Sequence, residues 1–245
     1  MRIGSFQFAP RIIPTLVTLV LFPALISLGF WQLSRTDEKR ELLADQQRKS
    51  QLPPLKIVAE NPDPEEIEYR RLIVTGRYLT DYQVLVDNKV HQGQTGYNVV
   101  TPLQIEDSDY AVLINRGWVK ADVRREIRPD IKTPQGRVSI RGTAKFKTKD
   151  IVTFNDRNRL ADDWPALVRW VDIEELDKDI PYKLKPFLLL QAEDMDGEYV
   201  RDWSIVNSPP EKNMSYAVQW FTLAGVLMLI FFMVNTRKIQ KQDRT

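Results

Sequence analysis

Residues Asn213–Thr236 read NMSYAVQWFTLAGVLMLIFFMVNT, 24 consecutive positions without a charge. From Val218 to Val234 the run is almost wholly apolar, broken only near its start by Gln219 and Thr222. A second uncharged run, Ile12–Ser34, covers 23 residues between Arg11 and Arg35. A hydrocarbon core of about 30 Å needs about 20 mainly apolar residues at about 1.5 Å each, so each run is long enough to cross a bilayer. Pro14, Pro23 and Gly29 fall in the first run, and lipid-embedded helices tolerate such residues better than soluble ones. A cleaved signal peptide competes for the first run, but its apolar stretch is too long for that and no A-x-A-like site follows. A buried soluble helix competes for the second, but Arg237 and Lys238 stand at once after it. The expectation is two transmembrane α-helices, 12–34 and 213–234, that bracket one domain at 35–212, with short tails at 1–11 and 235–245.

Charge orients the pair. The tails hold Arg2, Arg11, Arg237, Lys238, Lys241 and Arg244 against one acid, Asp243. Their net of +5 leaves −3 for residues 35–212, since the whole chain nets +2. The second helix obeys the positive-inside rule if its C-terminal tail is cytoplasmic, and two spans put both tails on one side. The first helix alone points the other way, because Arg35, Lys39, Arg40, Arg48 and Lys49 follow it. Long domains translocate largely regardless of charge, so the reading is tails inside and domain outside. Trp31, Tyr216 and Trp220 then share the domain's side of the bilayer, where amphipathic rings settle. No transit peptide is evident before Ile12, which favours a bacterial inner membrane, with a periplasmic domain, over a mitochondrial one.

Composition narrows the chemistry. Of 245 residues 43% are hydrophobic and 28% charged; this excludes a disordered chain and also a transporter built mostly of apolar helices. With Cys 0 there is no disulfide framework, thiolate nucleophile or cysteine metal site, and with His 1 no multi-histidine metal centre. That lone imidazole, His91, sits at a strand end before a glycine turn, with nothing in sequence placed to use it as a base. The acids Asp162, Asp163, Glu174, Glu175, Asp194, Asp196 and Glu198 come in loose pairs without calcium-loop spacing. No phosphate-loop, dinucleotide or nucleophile-elbow motif is present, and the basic residues are scattered among acids, which argues against nucleic acid. No catalytic or metal residue is assigned; an extracytoplasmic enzyme would rest on His91 and the loose acids alone.

The middle reads as one mainly-β domain, a sandwich or partly open barrel of α+β character. Residues 35–50 continue the first helix as a charged segment, and Gln51-Leu52-Pro53-Pro54 stops it. Strand-like runs follow at Tyr69–Leu79, Tyr82–Val90, Gly96–Gln104, Tyr110–Val119, Arg137–Lys147, Leu167–Asp172 and Leu184–Ala192. Thr80-Asp81 is a two-residue link that predicts a hairpin. Short helices are expected near Ala121–Arg128 and Ile173–Asp179, and Pro209-Pro210 is a stiff linker into the second span. After that span only Asn235–Thr245 remains, too little for the output domain of a two-span sensor.

Some polar groups sit close to the apolar runs. Gln32 and Gln219 lie one in each span, and an amide in lipid costs several kcal/mol unless paired. Either the spans pack so that these amides meet each other or a ligand, or both reach the headgroup layer. Tyr216, Trp220 and Leu223 share one helix face. Arg116 is either the end of a strand or a guanidinium facing a partner carboxylate or another anionic group.

Five stretches in order resemble the Surf-one (surfeit locus protein one) family of cytochrome c oxidase assembly factors. Leu28-Gly29-Phe30-Trp31-Gln32-Leu33-Ser34-Arg35, with Lys39 and Leu42, is similar to its first-span signature. Tyr69 with Gly76-Arg77-Tyr78, Gly96-Tyr97-Asn98-Val99-Val100-Thr101-Pro102-Leu103 and Val112-Leu113-Ile114-Asn115-Arg116-Gly117-Trp118-Val119 are similar to its middle blocks. Tyr216-Ala217-Val218-Gln219-Trp220-Phe221 resembles its entry to the second span. The resemblance implies a membrane protein that assists haem a delivery to, or insertion into, the oxidase catalytic subunit. It implies that subunit, haem a synthase and the lipid bilayer as partners. It also implies a cofactor contact at Trp31, Gln32, Asn213, Tyr216, Trp220 and Phe221, and a partner contact at Arg35, Asn115, Arg116 and Trp118. One departure matters. Family members commonly carry a His, the usual candidate haem ligand, where this chain has Asn213, and an amide is a poor iron ligand. Haem a is therefore expected in an apolar cleft lined by Trp31, Tyr216, Trp220 and Phe221, held transiently without a His axial ligand. The alternative is a protein-only scaffold that holds an oxidase subunit.

Overall fold

The computed structural model describes residues 2–3, 6–58, 63–122, 127–146, 158–161, 163–195, 197–203 and 208–238. Two compact units emerge: Met1–Ala44 with Ile205–Thr245, and Asp45–Ser204.

The first unit pairs two long helices. Helix α1 runs Ile12–Gln51, continuing through the charged segment 35–50 and ending just before Pro53-Pro54, as expected. A later helix, Pro210–Asn235, opens on Pro210 rather than after it, because a proline at the first helical position has no amide hydrogen to lose. Both helices are long and apolar enough to cross a membrane, and little of either apolar stretch is buried (Ile12 is 79% exposed, Met233 76%). A core helix of a soluble protein would hide such side chains, so the exposure supports membrane association. The buried positions are Gly29 and Thr36 on one helix and Pro210, Ala217 and Ala224 on the other. Seven-residue spacing of small side chains is the pattern of a close left-handed crossing. The tails add strands that the sequence reading did not expect. β1 (Arg2–Ile3), β2 (Phe6–Phe8) and a last strand, Thr236–Lys238, make a three-stranded sheet.

The second unit is a barrel with an added layer. Its strands are β3 (Leu55–Lys56), β4 (Arg71–Tyr78), β5 (Val84–His91), β6 (Gln94–Ile105), β7 (Tyr110–Lys120), β8 (Arg137–Lys145), β9 (Arg159–Ala161), β10 (Ala166–Val168) and β11 (Lys183–Gln191). Two four-residue helices, α2 (Pro64–Ile67) and α3 (Ile173–Leu176), interrupt them; the helix Pro210–Asn235 is α4 and the last strand β12. The pairing runs β4-β8-β11-β7-β6 and returns to β4, which leaves no free edge around the ring. Closure is made by Gly76↔Ile105, Arg77↔Gln104 and Tyr78↔Leu103. Gly76 permits it: a Cβ there would lie 1.9 Å from the Gln104 carbonyl oxygen.

The inner faces fill the ring. Leu72 and Val74 of β4, Val112 and Ile114 of β7, and Phe187 and Leu189 of β11 meet in one cluster, each buried side chain adding on the order of 1.5–3 kcal/mol. β7 and β11 lie parallel, and their other faces are covered too. Leu113 and Leu188 pack with Val84, Val86 and Val100 against Ala166, Val168 and Leu176. Burial on both faces explains the unbroken apolar run at 111–114. Lys185 stands on the same inner face of β11, fully buried, with Nζ 4.1 Å from the Tyr110 ring centre; burial pulls its ammonium below the ordinary lysine value.

Three expectations change. The link at Thr80-Asp81 is not a hairpin. β4 and β5 both run antiparallel to β6, β5 beside its first half and β4 beside its end. The chain therefore keeps its direction through a 3₁₀ turn at Thr80–Tyr82. The true two-residue hairpin is Gln92-Gly93, with φ of 48° and 76°, and His91 opposite Gln94. That left-handed pair matches the twist of the strands, a conformation that Thr80 disfavours. Of the predicted run Leu167–Asp172 only Leu167 and Val168 are strand, within β10. Of the predicted helix at Ala121–Arg128, residues 123–126 lie outside the described residues, as does Lys147 of the fifth strand. Ile173–Asp179 is helical over α3, capped by the Asp172 carboxylate, which accepts from the Glu175 amide at 3.2 Å.

Candidate functional site

Two groups of residues stand out, one in each unit. In the helical unit, positions 29, 32, 36 and 39 of α1 and 210, 213, 217, 220 and 224 of α4 follow the three-and-four spacing of a seam. The apolar end of that seam is closed. Phe221 lies over Gly29, where a Cβ would meet its ring at 2.5 Å, and Phe30 packs edge-on against it at 5.4 Å.

The other end is polar and saturated. The Asn213 amide donates from Nδ2 to Gln32 Oε1 at 2.7 Å. Its Oδ1 accepts from Lys39 Nζ at 2.6 Å, and the same ammonium donates to Ser208 Oγ at 2.8 Å. Thr36, fully buried between them in sequence, donates to the Gln32 carbonyl at 2.9 Å. An amide half-buried against apolar helices is costly unless both its ends are paired, and both ends of Asn213 are. The partner of Gln32 is thus Asn213 and not Gln219. Gln219 is exposed, because two residues beyond Ala217 a helix has turned about 200° away from its seam.

Of the four aromatic residues expected to line a cleft, two lie off the seam. Trp31, two residues from Gly29, is 55% exposed, and Tyr216 is 43% exposed. Only Trp220 and Phe221 belong to the seam. The Trp220 indole N–H is buried there with no acceptor among the described residues. Arg35 faces outward and pairs with Glu38 at 2.6 Å.

In the β unit the Asn115-Arg116-Gly117-Trp118 block forms a bulge. Val99 pairs with Gly117 and Val100 with Asn115, so Arg116 is the extra residue. Gly117 has φ of 130°, and a Cβ there would press on Tyr199 and Val200 at 2.7 Å; a bulge of this kind re-aims the side chain beside it. The Arg116 guanidinium turns inward and is 5% exposed. It donates to Thr133 Oγ1 and to the Lys132 carbonyl, each at 2.6 Å. It also sits 5.1 and 5.0 Å from the ring centres of Tyr78 and Tyr199. Burial pushes the Tyr78 phenol up to about 12, against the pull of Arg116. Asn115 Oδ1 accepts from the Gly117 amide at 3.3 Å. Trp118 Nε1 donates to the Lys89 carbonyl at 3.0 Å, and its ring lies 5.3 Å from His91.

The chain thus engages Asn115, Arg116 and Trp118 within its own fold. His91 has Asp202 3.9 Å away and no nucleophile described beside it. Among the described residues no group of three or more His, Cys, Asp or Glu is placed to hold a metal; Asp162 and Asp196 of the acidic pairs lie outside them. Sequence reading did not assign Lys39 and Ser208 to the site. The heptad spacing of Gly29, Gln32, Thr36 and Lys39 was the available signal for the first; nothing local marks Ser208.

Against known proteins, the model of the SURF1 family matches residues 19–225, a span that takes in both groups. The chain is 30% identical to a SURF1-like protein of Rickettsia felis over 224 residues, 88% of this chain and 94% of the relative. It is 27% identical to one of Rickettsia bellii over 247 residues, 94% and 98% of the two chains. Over 105 residues, 42% of this chain and 26% of the relative, it is 33% identical to the cytochrome oxidase assembly protein SHY1 of Saccharomyces cerevisiae.

Proposed function

The chain belongs to the SURF1 family, and on that premise we propose that it is a membrane-held assembly factor for cytochrome oxidase that works as a protein scaffold. Two spans anchor it in a bacterial inner membrane, both tails in the cytoplasm and the β domain in the periplasm. The tails' net charge of +5 supports that orientation. The domain holds the oxidase catalytic subunit through protein contact.

The observation that carries the mode of action is the engaged amide of Asn213. Axial ligation of haem calls for an imidazole, thiolate, thioether or phenolate. The seam offers an amide whose oxygen already accepts from Lys39 and whose nitrogen already donates to Gln32. The Asn213 amide does not fit axial ligation of haem a. A second reading, haem a delivery, draws on one feature, the buried Trp220 N–H without an acceptor among the described residues.

Purification of the full chain from cells that make the oxidase tests the proposal. The expected result is co-purified catalytic subunit without a stoichiometric haem spectrum. A one-to-one haem a complex that is lost in Trp220→Phe would replace the scaffold by the second reading. Full oxidase activity in a strain that lacks the chain would overturn both.

A further inference from the structure

We propose that the two ends of the chain form a lipid-binding cap, a small cationic sheet that docks on the anionic phospholipid headgroups of the leaflet at the tails' side. The inference rests on reading both helices as spans. β2 is the middle strand, with β1 on one side and β12 on the other. The register sets Arg2 opposite Gln7 and Gln7 opposite Arg237, so the three make one row across the sheet.

The cap is fastened to the helix ends. Asn235, the last residue of α4, is 1% exposed. Its Oδ1 accepts from the Arg11 amide at 2.7 Å, and its Nδ2 donates to the Phe231 carbonyl at 2.8 Å. Its own carbonyl accepts from the Ala9 amide at 2.8 Å. The Phe8 ring packs on Phe231 and Phe232, 6.0 Å from each. These ties hold the sheet where α1 begins and α4 ends, the level at which a bilayer changes from hydrocarbon to headgroup.

Its charge has one sign. The sequence has no acid from Met1 to Thr36 and none from Lys212 to Gln242. Arg11, Arg237 and Lys238 are exposed. A guanidinium pairs bidentately with phosphate oxygens, and basic residues beside an anionic leaflet attract it only within about a Debye length. A sheet pinned to the ends of two apolar helices meets that distance by construction. An acidic protein would have to reach down to the membrane plane to compete.

Titration of the purified full chain with phosphatidylglycerol, and separately with phosphatidylcholine, tests this, with bound lipid counted by native mass spectrometry. The wild type is expected to retain phosphatidylglycerol in preference, and to lose the preference in high salt. The variant Arg11→Gln/Arg237→Gln/Lys238→Gln is expected to bind it more weakly by about fivefold per charge removed. Equal retention of the two lipids by the wild type, or an unchanged preference in the variant, would overturn the cap. Alkaline carbonate extraction of the wild type is the separate control. A chain that is stripped from vesicles would overturn the two-span reading and the cap with it. One that stays embedded yet shows no preference would overturn the cap alone.

Discussion

Lys39 gives one ammonium to two acceptors, so its loss leaves more than one group unsatisfied. Lys39→Met strands Asn213 Oδ1 and Ser208 Oγ, both half-buried, and should cost about 1 kcal/mol, the low end for a polar group left without its partner. That loss should appear in denaturant unfolding of the purified chain. The double variant Lys39→Met/Asn213→Leu removes both sides of the contact and should lose less than the sum of the single changes; strict additivity would show that the two side chains do not interact. Tyr78 makes the second prediction at this scale. Its folded pKa, about 12, lies above the reference value of 10.0, so the fold favours the neutral phenol. Below pH 10 both states keep the proton and stability is unaffected. As pH rises from 10 toward 12 the unfolded chain loses the proton first, and about 2 kcal/mol of stability goes with it. Tyr78→Phe should remove that part of the alkaline loss in paired pH titrations of unfolding. Of the residue-level site, Asn213 and Gln32 were legible because an uncharged polar side chain inside an apolar run is conspicuous. Their being each other's partner was not, since 181 positions separate them.

At the scale of elements, close approach decides two tests. Gly29→Val would put a methyl-bearing carbon into the Phe221 ring, and overpacking of this kind costs about 1–3 kcal/mol. Cysteine pairs placed across α1 and α4 should then cross-link more slowly than in the parent chain. Gly76→Val would collide with the backbone of β6, where no side chain can yield. It should cost about 3 kcal/mol or more, seen as a lowered unfolding midpoint with the helical signal of α1 and α4 unaffected in circular dichroism. The strands themselves were readable, because alternation and apolar runs are local signals. β4, β5, β6, β7, β8 and β11 each fall on a predicted run. The order in which they pair was not readable, and the false hairpin at Thr80-Asp81 shows why. A short link reports how far the chain travels, but only the long partner β6, shared by both flanking strands, decides whether it turns back.

For the whole molecule, the prediction concerns sidedness. Reporter fusions after residue 11 and after residue 238 should report the cytoplasm, and an insertion in the β6–β7 turn near Asp107 the opposite side. A cytoplasmic signal from the turn would contradict the proposed topology. What the sequence determined by itself is what length, composition and short periods encode. These are two helices apolar enough to cross a bilayer, a mainly-β unit between them, and blocks in family order. Tertiary structure alone decided the rest: the closure of the barrel, the inward turn of Arg116, the sheet made from the two chain ends, and the Lys39–Asn213–Gln32 chain of hydrogen bonds. Each of these joins groups distant along the polypeptide. A polar atom's partner is chosen by which donor or acceptor the packed backbone brings within about 3 Å, and no local pattern records that distance.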